Sequence, residues 1–114
     1  MAEILIDNKS SFKMVMLIMI ALENLQGKIV RKSNYGQLSS VSDQLYIDYN
    51  FMNKVITIHL EHYTGIFLLS DEATQQELEN IWGVIKPNVA TDDSEVRAEM
   101  DSMIKKIKLY GGLI

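Results

Sequence analysis

Nine consecutive apolar residues, Met14 to Leu22 (Met-Val-Met-Leu-Ile-Met-Ile-Ala-Leu), constrain this chain more than any other feature. A bilayer core takes roughly 20 apolar residues in a helix, whereas Lys13 and Glu23 close this run at both ends. It is too short to span a membrane. Lys9 and Lys13 precede it as they would in an export signal, but Glu3 and Asp7 spoil the basic start and no small-residue cleavage pattern follows. The run therefore reads as a buried core helix of a cytoplasmic protein. Ser10 and Ser11 supply N-cap hydroxyls and Gly27 a left-handed terminator, so a helix is expected over about 12 to 26, with a strand through Val15, Ile18 and Ile20 as the minor alternative. Such a helix, apolar on every side, needs cover over most of its surface. Either its own domain or a second copy of the chain has to supply that cover.

A length of 114 residues with 47% apolar side chains suits a single domain, residues 1–114, that buries a core without crosslinks. No cysteine is present, which removes disulfides, thiol catalysis and cysteine-ligated metals. A net charge of -4 and a pI near 5.1 argue against nucleic acid, whose binders draw on Lys and Arg. The six glycines are dispersed and form no phosphate-cradling loop, so no cofactor is expected.

After the helix the texture turns to strand-like alternation. Lys28 to Ser33 is a first strand, Asn34-Tyr35-Gly36 a turn and Ser39 to Asp43 a loop. Gln44 to Phe51 places Leu45, Ile47, Tyr49 and Phe51 on one side and Tyr46, Asp48 and Asn50 on the other. Asn50 to Lys54 turns the chain into Val55 to Glu61, and Ile66 to Leu69 follows Gly65 as a fourth strand. Asp71 is a candidate cap for a helix with the stripe Leu78, Ile81, Trp82 and Ile85, ended by Lys86-Pro87. Asp92 and Glu95 resemble a capping box ahead of a last helix carrying Val96, Met100, Met103, Ile104 and Ile107. The expected fold is a two-layer α+β domain: an N-terminal helix, an antiparallel meander of about four strands, and two C-terminal helices on one face of the sheet.

His59-Leu60-Glu61-His62-Tyr63 is the one cluster with the vocabulary of a metal or acid–base site. On a strand, however, His59 and Glu61 face one way and His62 the other, so the two histidines do not converge on a metal. With neighbouring strands in the right register, His59 and Glu61 would join Tyr46 and Asp48 in a polar patch. A small enzyme using His59, Glu61 and Tyr46 is the least favoured reading, and a solvated sheet face or part of a binding surface the better one.

Charge gives a stronger signal. From Asp71 to Met103 nine acids face only Lys86 and Arg97, and the rest of the chain is slightly basic. At 3.6 residues per turn, Glu72, Gln76 and Glu79 lie opposite the apolar stripe of their helix as an exposed acidic ridge. Acids at helix starts complement the dipole, which accounts for Asp71, Glu72, Asp92, Asp93 and Glu95 but not for Glu77, Glu79, Glu99 and Asp101.

A leading helix, an antiparallel sheet containing Ile58-His59-Leu60-Glu61-His62-Tyr63-Thr64-Gly65-Ile66, and acidic closing helices together resemble small bacterial immunity proteins, which neutralise toxins of interbacterial competition systems. The resemblance lies in size, acidity and element order. It implies a cytoplasmic, non-enzymatic protein that covers the active site of a toxin domain, often a basic nuclease. Glu72, Gln76, Glu79, Asp48, Glu61, Tyr46 and Tyr63 are the candidate partner-binding residues, the carboxylates steering a basic partner and the tyrosines adding contact area. The other class of function is a structural or regulatory homodimer formed through the apolar N-terminal helix.

Overall fold

The computed structural model describes residues 2–9, 11–30, 44–61, 64–91 and 97–110. It is an α+β fold with a five-stranded antiparallel sheet: β1 (Ala2–Asp7), β2 (Lys28–Val30), β3 (Gln44–Phe51), β4 (Lys54–Glu61) and β5 (Gly65–Ser70). Its helices are α1 (Phe12–Asn24), α2 (Gln75–Ile85) and α3 (Arg97–Tyr110), with a 3-10 turn at Lys86–Asn88. The spatial order is β1-β5-β4-β3-β2. Strands β2 to β5 form the expected four-stranded meander. The fifth strand, β1, joins the far edge beside β5, its ladder irregular between Leu5 and Asp7. The expected turn and loop over 34–43 and the Asp92/Glu95 box lie outside the described residues.

Strands β1 and β2 occupy opposite edges, so α1 carries the chain across the whole sheet. Four strand gaps span roughly 19 Å, and 13 helical residues rise about 20 Å. The helix is thus as long as its crossing. Eight successive residues, Val15 to Leu22, are buried. On one side they meet Ile4, Leu68, Ile58 and Ile47, whose register puts them in one row across the sheet. On the other they meet α3 through Met103 and Ile107, and α2 adds Leu78, Ile81 and Ile85. The domain's own elements provide the cover that the apolar run demands, which removes the ground for reading α1 as a dimer interface.

Local stereochemistry places the ends of the helices, in two cases not where sequence suggested. At the start of α1 the Ser11 hydroxyl accepts from the Met14 amide at 3.2 Å. At its end the left-handed residue is Gln26 (φ 72°) rather than Gly27. The Gly27 amide donates to Leu22 O at 2.8 Å and that of Gln26 to Glu23 O, the paired bonds of a Schellman cap. Gly27 is required for a different reason: a Cβ there would lie 2.9 Å from Leu22 O. Helix α2 is capped by Thr74, not Asp71. The Thr74 hydroxyl accepts from the Glu77 amide, and the Glu77 carboxylate accepts from the Thr74 amide at 2.9 Å. This bond and nearby Lys54 hold the Glu77 carboxyl below the usual carboxylate range.

Gly27→Ala should therefore destabilise the fold by about 2 kcal/mol, since backbone rather than a side chain blocks the new methyl group. Gln26→Gly, one residue earlier, should stabilise it by about 0.5–1 kcal/mol through relief of the left-handed penalty. Urea unfolding of both variants tests the assignment, and the opposite ranking would reject it.

Candidate functional site

One end of the sheet combines an exposed apolar side chain, a strained turn and the acidic start of α2. Strands β3 and β4 pair through Phe51 and Lys54, leaving a two-residue connection, Met52-Asn53. Both residues are left-handed, with φ 54° and 62°. This is the turn that matches strand twist, and it favours Asn-Gly. Methionine at the first position is a poor choice for conformation, and its side chain is 54% exposed. Residue type and backbone conflict here, at an exposed turn.

The hairpin base is tied to the loop leading into α2. The buried Ser70 hydroxyl donates to Val55 O at 2.8 Å and accepts from the amides of Glu72 and Ala73. The Val55 amide donates to a Glu72 carboxylate oxygen at 2.9 Å, and the Lys54 ammonium reaches both Glu72 O and, at 3.6 Å, the Glu77 carboxylate. Along α2 the ridge continues through Gln76, which bonds Asn80, and Glu79, which accepts from Gln75. Gln75 in turn brackets the edge strand, its amide pairing with both the N–H and the C=O of Glu3. That blunts the free edge of β1.

Gln76 and Glu79 are exposed on α2 as their helical phase predicts, whereas Glu72, expected on the same helix, is exposed in the turn ahead of its Thr74 cap. Lys54 offsets Glu77, but among the described residues Asp71, Glu72 and Glu79 have no lysine or arginine partner. The acidic window as a whole maps onto separate elements. Glu99 and Asp101 are exposed on α3, a helix that packs against α1 and carries Lys105 and Lys106, and Asp92, Asp93 and Glu95 lie outside the described residues. The α2 ridge and the hairpin tip therefore constitute the candidate surface.

The sheet-face candidates need correction. Tyr46 and Asp48 do point away from α1, as alternation indicates, but both are only 3% exposed and offer no contact area to a partner. Tyr46 pairs across the ladder with His59, and the two rings stack at a centroid distance of 4.3 Å, with Phe67 on the far side of the imidazole at 5.9 Å. Asp48 pairs with Thr57, whose hydroxyl donates to its carboxylate at 2.6 Å. Glu61 is half-buried on the same face. Tyr63 lies outside the described residues. The strand register thus brings Tyr46 and His59 together, as the enzyme reading required, but packs them into a ring stack. No group of three potential metal ligands occurs among the described residues.

His59 Nε2 is buried with no hydrogen-bond partner. Burial lowers the imidazole pKa from its ordinary 6.5, against the opposing pull of Glu61 and Glu3. Burial, and secondarily Glu61, raises that of the Tyr46 phenol. A folded-state histidine pKa below the unfolded one means that protonation favours unfolding. Stability should hold above about pH 6.5 and fall as the pH drops through the lower folded value. His59→Phe keeps the stack and removes the titration, so between about pH 7.5 and about pH 5.5, roughly one unit either side of the free value, the parent should lose more stability than the variant. Equal losses in chemical denaturation would reject this account.

Compared with protein-family models, with curated proteins and with solved structures, the chain gives no match, so its functional reading rests on this surface.

Proposed function

We propose that this protein is a non-enzymatic inhibitor of the immunity-protein kind, docking the hairpin tip and the α2 ridge onto a basic toxin domain in the cytoplasm and covering its active site. The observation that carries the reading is the exposed, conformationally unfavourable Met52 on the hairpin whose base bonds Glu72, at the end of the sheet where α2 begins with exposed Gln76 and Glu79. A central apolar anchor with a charged rim is the arrangement in which a few side chains supply affinity and the carboxylates supply steering. The clamps from Ser70, Glu72 and Lys54 hold this surface in shape before a partner arrives, which lowers the ordering cost of association. A basic nuclease domain encoded beside this protein is the partner to test.

Three variants separate binding from folding. Glu79→Lys reverses a charge at an exposed position, and it should slow association with the partner about tenfold at low salt while leaving the unfolding midpoint nearly unchanged. The parent's association rate should fall steeply with ionic strength. Met52→Asn with Asn53→Gly gives the turn its preferred residues, so it should raise stability by about 1 kcal/mol yet weaken binding by about tenfold or more through loss of the anchor. Met52→Ala should weaken binding without the gain in stability. Stopped-flow association and calorimetry with the toxin domain provide the readouts. A salt-independent rate, or full affinity in both Met52 variants, would overturn the proposed surface.

A further inference from the structure

Helix α2 and the 3-10 turn that continues it run from Gln75 to Asn88, and Gly83 stands exposed inside that stretch. Its backbone is right-handed helix; the glycine with positive φ among the described residues is Gly65. A Cβ at Gly83 would meet no atom of the described residues within 4 Å, whereas one at Gly27 or Gly65 would strike backbone. Neither conformation nor packing calls for glycine here, and glycine disfavours a helix about fourfold relative to alanine. What it offers at such a place is bare backbone that another main chain can approach closely.

The side chains around Gly83 suit a main chain. At about 3.6 residues per turn, Gly83 follows Gln76, Glu79 and Asn80 along one face, opposite the buried Leu78, Ile81 and Ile85. Gln76 donates an amide hydrogen bond to Asn80 at 3.1 Å, which keeps the Asn80 amide nitrogen as a donor and the Gln76 carbonyl as an acceptor on the exposed side. Those are the two groups that a passing peptide bond satisfies. Val84, 41% exposed, adds apolar area at the flank. Exposed Glu79 bears the negative charge of this face, and exposed Lys86, a turn beyond Gly83, a positive one. That polarity places a visiting cation on the Glu79 side. We propose that a main-chain segment of a basic protein partner crosses α2 at Gly83, its peptide group bonded by Gln76 and Asn80 and a lysine or arginine of the segment paired with Glu79. The crossing rests on the docking reading above and adds the form of contact: backbone against backbone on the α2 ridge, with no side chain between.

The test compares Gly83→Ala and Gly83→Leu with the parent, using the full chain and the basic domain encoded beside it. Gly83→Ala should raise the folding equilibrium constant about fourfold in urea unfolding, since the described residues leave room for the methyl group. Against the partner it should raise the dissociation rate about tenfold, and Gly83→Leu about a hundredfold, with the association rate and its salt dependence nearly unchanged. Asn80→Ala should weaken binding about fivefold. A lower folding constant in Gly83→Ala would mean that the fold itself needs the glycine, and sinks the proposal. So would parent-like dissociation of both Gly83 variants while Met52→Ala and Glu79→Lys still weaken the complex, a result that leaves the docking reading standing. Failure of the parent to bind the domain overturns both. Self-association of the chain alone, abolished by Gly83→Leu, would name a second copy as the occupant and overturn the basic partner.

Discussion

A helix that is apolar all the way round cannot stop at one buried face, and the architecture follows from that requirement. The sheet covers one side of α1, and α3 and α2 cover the other. Each fully buried Leu or Ile contributes about 2 kcal/mol, so losing either layer would expose several such side chains at once. The chain path serves the same end. Because β1 and β2 sit at opposite edges, the helix between them crosses every strand, and the meander must fill the space between two strands that are neighbours only in sequence.

Polar groups at the margin of this core fix how the layers sit on one another. The Tyr49 hydroxyl, on β3, donates to the Glu23 carboxylate on α1 at 2.9 Å, and the Lys106 ammonium on α3 binds the other oxygen of the same carboxylate. Burial, and secondarily Glu23, pushes the Tyr49 phenol pKa well up, so the group stays protonated and acts as donor. One carboxylate thereby links sheet, first helix and last helix. Apolar packing tolerates sliding, whereas this link requires one rotational setting of α3 over α1. A charge-assisted bond of this type is worth about 1.5–3 kcal/mol, and partial exposure of Lys106 and Glu23 places the ion pair toward the low end.

Features whose signal is local were legible in the sequence. The span of α1, the alternation of β3 and β4 and the apolar stripe of α2 all follow from periods of two or 3.6 within a few residues, and β5 from the break at Gly65. Strand β1 was missed because it is short, consecutive Ile4, Leu5 and Ile6 mask its alternation, and its partner β5 lies some sixty residues away along the chain. The caps were misplaced where two residues competed for one role: Gln26 accepts the left-handed position so that Gly27 can pass close to Leu22, and Thr74 displaces Asp71 because only Thr74 stands three residues before Glu77. Alternation also assigned Tyr46, Asp48 and His59 to the correct face but carried no information on whether that face meets water. Burial is a property of what packs on a strand, and period two is silent on that.

The proposed docking surface was half legible for the same reason. Helical phase exposed Gln76 and Glu79 but wrongly placed Glu72 on the helix, while Met52 became visible only once the register set the hairpin connection at two residues. The sequence turned the chain somewhere over Asn50 to Lys54, and the ladder closing at Phe51 and Lys54 narrows that to two residues, both left-handed. Most of the local choices in this fold agree with the global one, down to the reciprocal Thr74–Glu77 cap and the Gln75 bracket on β1. Methionine in a turn suited to Asn-Gly is where they disagree. A fold selected for stability alone would replace it, since better turn residues need no compensating change elsewhere. Its place at the end of the sheet where Glu72 clamps the hairpin base is the ground on which the proposed docking surface stands, since strained residues cluster at functional sites.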